Sequence, residues 1–207
     1  MMVDNKQMMD DRICLYDNEN VSSIRKDKNN MEIKGLDITI LEGKLNDKPV
    51  FRNLMQYYQY DMSEYSKEDP NTFGQFDYKY LDHYWTEHGK TEEGRTAYLV
   101  KVNDQYAGFV LVNNFSLDSK VLGSRKSIAE FFILKKWRKN GIGKMTAFKI
   151  FDTYKGQWEI KQMEANLPSH HFWLSVVDEY TKGQYERIAS HLPEWTGPVL
   201  RFKTLCL

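Results

Sequence analysis

The segment from Ile128 to Lys144, IAEFFILKKWRKNGIGK, constrains the fold more than any other part of the sequence. It opens with an apolar run that predicts a buried strand, and a helical pattern begins directly after Gly143. Between them lies a basic loop, whose cationic side chains are Lys135, Lys136, Arg138, Lys139 and Lys144. Its glycines let the backbone approach an anion closely, and the following helix offers free N–H groups and the positive end of its dipole. Strand, loop and helix start therefore predict a site that binds phosphate groups.

The composition is that of a folded protein with no bias towards an anionic partner. The chain has 207 residues, of which 41% are hydrophobic and 14% aromatic, which argues for a proper core and against disorder. Basic and acidic residues number 29 each, so the net charge favours neither nucleic acid nor an anionic membrane. No apolar run approaches the roughly 20 residues that a membrane-spanning helix needs. We therefore expect neither a nucleic-acid partner nor a membrane partner.

Residues 1–30 are polar and are typical of a loosely attached extension, so we expect one domain over residues 31–207. The N-terminus lacks the apolar core of a secretory signal. Cys14 and Cys206 lie near opposite ends without the spacing of a disulfide framework, which suits a reducing cytosol. The five histidines show no spacing typical of metal ligands. We expect a cytoplasmic protein without a metal site.

Hydrophobic periodicity predicts an α/β fold with a mixed sheet. A strand over 33–41 carries Gly35 as a bulge, and a helix starts at Pro49 with Asp47 as its cap. The further predicted elements are a short helix around Leu81–Trp85, a hairpin of strands 96–102 and 105–112 with Asn103-Asp104 as its turn, a helix from Gly143 to Gly156, a strand over 157–164, a helix from Leu167 to Gly183, and closing strands at 185–192 and 199–205. Strand 128–134, the helix after it and strand 157–164 form one βαβ unit, so the two strands should be parallel neighbours.

Two common phosphate-binding motifs do not match the loop. The sequence has no GxxxxGK[ST] motif, which excludes a P-loop, and the window from Gly141 to Thr146 lacks the third glycine of a dinucleotide fingerprint. The pattern Arg138-x-x-Gly141-x-Gly143, after an apolar strand and at the start of an amphipathic helix, instead resembles the acyl-CoA signature of the GNAT superfamily of N-acetyltransferases.

The resemblance continues past the loop, to Asn166 after the next predicted strand and to the pair Phe172-Trp173 on the next helix. The combination is similar to a bacterial branch of predicted acetyltransferases, strongly over 127–185 and more loosely over the rest of 31–207. It implies a GNAT-type fold, in which helices flank a central mixed sheet and two parallel strands splay apart.

This resemblance implies acetyl-CoA as the cofactor and assigns the basic loop to its phosphates. Arg138 would add charge beside the pyrophosphate, which would be held by the main-chain N–H groups of Lys139, Asn140, Gly141, Ile142, Gly143 and Lys144. Lys135, Lys136 or Lys139 could reach the 3′-phosphate, and the alternative is that these lysines are simply solvated.

The splayed strands would hold the pantetheine arm of the cofactor. Backbone groups of Phe132, Ile133 and Leu134 would be free to pair with its amides, and one of those N–H groups would polarise the thioester carbonyl. Asn166 matches the family's pantetheine-contacting asparagine. Phe172 and Trp173 complete the cofactor-binding set that the resemblance implies.

Transfer to an amine requires a base, because a lysine-like amine with a pKa of about 10.4 is an ammonium at neutral pH. Glu130 is our candidate, since it is a lone carboxylate within an apolar strand, and burial would raise its pKa towards a useful range. The alternative is a structural carboxylate at a strand edge or bulge, paired with a nearby lysine or tyrosine.

The sequence departs from the resembling family at Trp173. Many members carry a tyrosine there as acid towards the departing thiolate, whereas an indole N–H cannot give up a proton at neutral pH. The thiolate could leave unassisted, Tyr180 could serve as acid, or the chemistry could be slow or absent. Core packing is the alternative role for Trp173.

The segment from Tyr57 to Tyr65 combines carboxylates with aromatic faces, which suits a cationic amine, although an ordinary helix end with solvated charges is the alternative. We expect an N-acetyltransferase that passes an acetyl group from acetyl-CoA to a primary amine of a small molecule or a protein. The alternative is a non-catalytic acyl-CoA-binding or protein-interaction module on the same fold. A nucleic-acid partner for the basic run is remote because the charges balance, and the family resemblance allows a homodimer.

Overall fold

The computed structural model of the chain describes residues 30–33, 35–117, 125–192 and 195–204. The predicted polar extension, except for its last residue, lies outside the described residues, as do Cys14 and Cys206.

The described residues form eight β-strands and four α-helices. The strands are β1 (Asn30–Ile33), β2 (Leu36–Glu42), β3 (Thr96–Val102), β4 (Gln105–Asn113), β5 (Arg125–Ile133), β6 (Gln157–Lys161), β7 (Tyr185–Leu192) and β8 (Trp195–Lys203). The helices are α1 (Lys48–Ser66), α2 (Glu87–Thr91), α3 (Ile142–Thr153) and α4 (Leu167–Thr181). Short 3₁₀ helices lie at Leu45–Asp47, Leu81–Trp85 and Lys135–Trp137.

These strands form one sheet in the order β1-β2-β3-β4-β5-β6-β8-β7. β5 and β6 are parallel, and the other neighbouring pairs are antiparallel. The helix α3 connects the two parallel strands, since parallel neighbours need a crossover rather than a tight hairpin. The predicted βαβ unit and the predicted mixed sheet are confirmed.

Two turns in the first half of the chain depend on left-handed backbone. Asn103 and Asp104 have φ of 49° and 60°, the conformation that a two-residue hairpin turn requires, so the predicted hairpin is confirmed. The predicted bulge at Gly35 is wrong. Gly35 has φ of 75° and lies in the turn between β1 and β2, which pair with each other as a hairpin.

Three other predicted boundaries differ in detail. The short helix at Leu81–Trp85 is a 3₁₀ helix. Asp47 does not cap α1 with its side chain, because that carboxylate accepts the Lys44 N–H at 2.8 Å. β6 ends at Lys161 rather than at residue 164, because a turn follows in which the Asn166 N–H donates to Met163 O at 3.0 Å.

The sheet separates two hydrophobic cores, and the larger one lies against α3 and α4. On the opposite face, α1 packs through Phe51, Leu54 and Met55, and full burial of side chains of this size stabilises by roughly 1.5–3 kcal/mol each. Tyr58 of α1 lies 5.8 Å from the ring centroids of both Phe109 on β4 and Phe132 on β5. The helix α1 is thereby fixed over the strand that carries the candidate base. Among the described residues, no helix is both long and apolar enough to cross a membrane.

Candidate functional site

A gap opens between the two parallel strands. Within the described residues, β5 and β6 pair from Arg125 with Gln157 to Ser127 with Glu159 and no further. Beyond this point β5 continues along β4 as far as Ile133, and β6 continues along β8 as far as Lys161. The two strands therefore diverge after three pairs, and the backbone of each faces the gap along one edge.

The hydrogen-bonding pattern of β5 decides which of its backbone groups face this gap. The Leu134 N–H donates to Ala107 O at 2.8 Å, so it points towards β4 and is not free, contrary to our expectation. Successive residues of a strand direct their N–H and C=O groups to opposite edges. The backbone N–H and C=O of Phe132 therefore also point towards β4, so the prediction that they are free is wrong. The backbone groups of Phe131 and Ile133 face the gap instead. Of the three predicted residues, Ile133 alone is oriented as expected.

The basic loop after β5 presents a row of free backbone donors. The N–H groups from Lys139 to Lys144 make no hydrogen bond to any described residue, and the first intrahelical bond of α3 runs from Met145 N to Gly141 O at 3.0 Å. The helix begins at Ile142, one residue before the predicted start. Free N–H groups in a tight loop at a helix N-terminus are the arrangement that binds phosphate oxygens.

Both glycines of the loop have neighbours that leave little room for a side chain. Gly141 has φ of 82°, and a Cβ there would lie 2.7 Å from Ile33 Cδ1. A Cβ on Gly143 would lie 3.2 Å from the Phe172 ring and 3.7 Å from Phe131. The loop therefore needs glycine at 141 for backbone conformation and at 143 for close packing.

The cationic side chains of the loop are mostly paired with acids of neighbouring helices. Arg138 donates from Nη2 to Asp61 Oδ2 at 2.6 Å and from Nε to Ile133 O at 2.6 Å. Lys135 also contacts Asp61, at 3.1 Å, and Lys144 contacts Glu179 of α4 at 2.9 Å. Arg138 thus ties the end of β5 to α1, and its place beside the pyrophosphate stays a prediction.

Two lysines of the loop are placed differently from these. Lys136 lies with its Nζ 4.6 Å from the centroid of the Trp137 ring. Lys139 has φ of 64°, is exposed, and has no partner among the described residues. Lys139 is therefore the cation of the loop that is most available to an added anion.

The residues predicted after β6 lie at the other side of the gap. Asn166 caps α4, since its Oδ1 accepts the Ser169 N–H at 3.0 Å, and its Nδ2 lies 3.6 Å from Met62 Sδ on α1. Phe172 packs on Phe131 with ring centroids 5.6 Å apart. Trp173 is 5% exposed and packs against the same Phe131 at 5.0 Å, which agrees with the core-packing alternative.

Glu130 owes its orientation to a β-bulge. Val112 pairs with Ile128 and Leu111 pairs with Glu130, so Ala129 is an extra residue in β5. The bulge interrupts the alternation of side chains, and Ile128 lies in the α3 and α4 core while Glu130 points to the α1 face. This arrangement matches the structural alternative, a bulge carboxylate paired with a tyrosine, and it also brings that carboxylate to the edge of the gap.

The surroundings of the Glu130 carboxylate raise its pKa to about 7, chiefly because burial disfavours the charged form. The hydrogen bond from Tyr58, the nearby hydroxyl of Tyr78 and the positive charge of Lys161 act in the opposite direction and lower this pKa. Burial and the charge of Glu130 in turn raise the pKa of both tyrosines. At neutral pH, Glu130 therefore exchanges a proton readily while its two tyrosines keep theirs.

Tyr180, the alternative acid, lies far from this carboxylate. Its hydroxyl donates to Asp152 Oδ1 at 2.8 Å, and burial raises its pKa. Asp152 is ten residues beyond Ile142, which places it about 15 Å along α3 from the phosphate-binding loop. Tyr180 therefore belongs to the far end of the α3 and α4 layer.

The side chains of the segment from Tyr57 to Tyr65, predicted to bind the acceptor, point to two different sides of α1. Tyr58 reaches Glu130, and Asp61 is occupied by Lys135 and Arg138. Tyr57 and Tyr60 are 59% and 67% exposed and face solvent.

Sequence reasoning missed Tyr78 and Lys161. Tyr78 lies in an irregular segment between α1 and the following 3₁₀ helix, where no periodicity indicates which side chains turn inward. Lys161 is the last residue of β6, a strand in which polar and apolar side chains alternate. It is far from Glu130 in sequence, so the sequence did not indicate that the two residues are close in space. A polar residue at the end of a strand that borders a predicted splay was the available signal.

Comparison with known proteins identifies the family. The model of the acetyltransferase (GNAT) family matches residues 55–176, more than half of the chain, including the gap, the loop and Glu130. The chain belongs to the GNAT acetyltransferase family. A comparison with curated protein sequences gave no match.

Solved structures show the same fold. A GNAT acetyltransferase from Listeria monocytogenes has a TM-score of 0.58 and 11% identity, with 84% of this chain and 99% of that chain covered. Spermidine N-acetyltransferase from Vibrio cholerae, in complex with CoA and spermine, has a TM-score of 0.54 and 10% identity, with 81% and 95% covered. An aminoglycoside acetyltransferase in complex with coenzyme A and kanamycin has a TM-score of 0.53 and 12% identity, with 80% and 94% covered. At such low identity these likenesses show the fold alone.

Proposed function

We propose that this GNAT protein is an N-acetyltransferase that passes an acetyl group from acetyl-CoA to a primary amine, with Glu130 as the general base. One observation carries the proposal: β5 and β6 diverge after Ser127 and Glu159, and a carboxylate with a pKa of about 7 stands at the edge of the opening. A base whose pKa lies near the working pH combines a useful fraction of free base with a useful driving force for proton transfer.

The chain's free backbone donors fit coenzyme A. The N–H groups from Lys139 to Lys144 would hold the pyrophosphate, with exposed Lys139 adding charge. The backbone of Phe131 and the N–H of Ile133 would pair with the pantetheine amides, since Ile133 O already accepts from Arg138. Asn166, which already contacts α1 across the end of the gap, is placed to limit the opening there. Acetyl-CoA supplies an activated acyl thioester, and the chain's residues position it.

Glu130 would remove the proton from the acceptor amine. Its carboxylate would take the proton that an ammonium must lose before its nitrogen can attack. Tyr58 would hold that carboxylate by donating to its Oε2, so that the other oxygen remains available to the acceptor. The Phe131 N–H, on the same stretch of β5, would stabilise negative charge on the carbonyl oxygen.

The amine class of the acceptor rests on this base and on the neighbours. Spermine and kanamycin, bound in two of the similar structures, both carry several amino groups.

The test is thiol release from acetyl-CoA with a panel of amines: spermine, kanamycin, and a lysine-containing peptide. Turnover with at least one amine, and a loss of about 10²-fold or more in Glu130→Gln, is the expected result. Glu87→Gln, an exposed carboxylate on α2, is the matched control and should leave turnover unchanged. Titration calorimetry with coenzyme A tests the donor site separately, and absence of binding would end the proposal.

A non-catalytic module is the second candidate, favoured by the place of Trp173 in the core, where it supplies no proton. It predicts that coenzyme A binds while no amine in the panel releases thiol. Turnover with any of the amines would exclude it.

A further inference from the structure

Lys161 is an ionisable side chain that the proposed function does not use. It is the last residue of β6 and follows Ile160, whose side chain lies in the α3 and α4 core. Because side chains alternate along a strand, Lys161 points to the α1 face, as Glu130 does. The two residues lie on opposite borders of the gap, close enough for the charge of Lys161 to lower the pKa of Glu130.

The ammonium of Lys161 has no hydrogen-bond or ion-pair partner among the described residues, although it is half-buried. The carboxylates nearest to it are engaged elsewhere. Glu159 accepts from Arg201, Ser116 and the Leu117 N–H, and Glu130 accepts from Tyr58. Burial lowers the pKa of Lys161, against the raising effect of Glu159 and Glu130. A half-buried cation without a partner is costly, so a function for it is expected.

We propose that Lys161 is the proton donor to the sulfur of coenzyme A, in the role for which Trp173 is unsuited. This rests on the proposed function, because it concerns the same gap. Glu130 passes the ammonium proton to solvent, and its carboxylate then takes the second proton, which the acceptor nitrogen loses as it bonds to the acyl carbon. Lys161 Nζ gives a proton to the sulfur, which leaves with the electron pair of the carbon–sulfur bond. After the products leave, Glu130 loses its proton to solvent and the Lys161 amine takes one from solvent, which restores both groups.

The placement separates the acid from the base. Glu130 is fixed on β5 beside α1, where the acceptor side lies, and Lys161 is fixed on β6, across the opening. Because the base and the acid lie on opposite borders of the gap, Lys161 does not pass its proton directly to Glu130. Arg201 on β8 is bound to Glu159 and is therefore not a competing donor.

Binding of coenzyme A compared with desulfo-coenzyme A tests this proposal without turnover. An ammonium beside the sulfur favours the thiolate, so above neutral pH the intact protein should bind coenzyme A about tenfold more tightly than the desulfo compound. Lys161→Met should lose that preference and leave the affinity for desulfo-coenzyme A unchanged. Lys161→Arg should keep the preference, because it keeps the charge. Lys203→Met, at the end of β8, is the matched control.

Turnover then separates charge from proton donation. Lys161→Arg should lower kcat by about tenfold or more with little change in KM for acetyl-CoA, because a guanidinium cannot give up its proton. If both ligands bind and Lys161→Met keeps the wild-type preference, Lys161 is not beside the sulfur and this proposal fails while the proposed function stands. If neither ligand binds the wild-type protein, the proposed function itself fails. Should Lys161→Met not fold, Lys161→Arg alone decides, since an unchanged kcat there overturns the proposal.

Discussion

Glu130 on β5 and Glu159 on β6 are carboxylates on the same face of adjacent strands, but their surroundings differ. Glu159 lies where the strands still pair, is 0% exposed, and accepts from Ser116 Oγ at 3.0 Å, Leu117 N at 2.8 Å and Arg201 Nε at 2.9 Å. Glu130 lies past the point of divergence, where the Tyr58 hydroxyl donates to it and no cation contacts it among the described residues.

This difference separates a structural carboxylate from a reactive one. Glu159 has a charged partner and two further donors, which together satisfy the negative charge in the interior. Glu130 has a neutral donor, so burial is the dominant influence on it and its pKa rises to about 7. Glu159 thus has a cation from β8 and two donors from residues 116 and 117, whereas Glu130, past the divergence, has no charged partner in contact among the described residues.

Glu130→Gln should produce the largest change in activity. The amide keeps the shape and can still accept from Tyr58, but it cannot take a proton, so kcat/KM should fall by about 10²- to 10⁴-fold. The melting temperature should change little. Steady-state kinetics and calorimetric melting measure the two effects. If activity is kept, the contrast between the two carboxylates has no catalytic meaning.

Glu159→Gln should show the reverse pattern. Removing this charge leaves Arg201 without an anionic partner. Breaking a buried ion pair costs about 3–5 kcal/mol, and because the guanidinium is partly exposed we expect the lower end, a loss of about 3 kcal/mol in the free energy of unfolding. Denaturant titration measures it. The fall in kcat/KM of the folded protein should be smaller than that of Glu130→Gln. A variant as stable as the wild type would mean that the Glu159 cluster is not what holds this region together.

Tyr58→Phe should shift the pH profile of the reaction. Since the pKa of Glu130 is about 7, kcat/KM should rise with pH until about 7 and then level off, as the carboxylate loses its proton. The Tyr58 hydrogen bond lowers this pKa, so its removal should move the rise to higher pH by about one unit, which is about tenfold in rate on the acid side. A rise that stays in place, or one that moves to lower pH, would contradict the assignment of the base.

Ser116→Ala should give the smallest effect. It removes one of the three donors to Glu159, at a cost of about 1 kcal/mol, while the other two remain. Thermal melting measures this loss, and the pH profile should stay that of the wild type. A shift of the profile would show that the two carboxylates are coupled rather than independent.

Much of the fold follows from local patterns. The Asn103-Asp104 turn, Pro49 in the first turn of α1, and the run of strand, glycine loop and helix from Ile128 act through neighbours in sequence, so they can be predicted without tertiary contacts. Gly35 was the exception, because a glycine within an apolar pattern fits a bulge as well as a turn.

The site was harder to predict because its contacts join distant segments. The carboxylate of Glu130 was visible as a lone charge in an apolar strand, but its partners Tyr58, Tyr78 and Lys161 are 72, 52 and 31 positions away by residue number. Arg138 was expected beside a phosphate, whereas Asp61 on α1 provides an anion of its own for it.

The sequence by itself determined the βαβ unit, the free N–H groups of the loop and the presence of one acid in β5, because propensities, glycine conformation and periodicity are local properties of the chain. Only the tertiary structure decided which way that acid points. Strict alternation would place Glu130 on the same face of the sheet as Ile128. In the register with β4, Ala129 is a bulge residue, and the Glu130 side chain therefore points to α1 instead. Register is set by pairing with another strand, and no single segment contains that information.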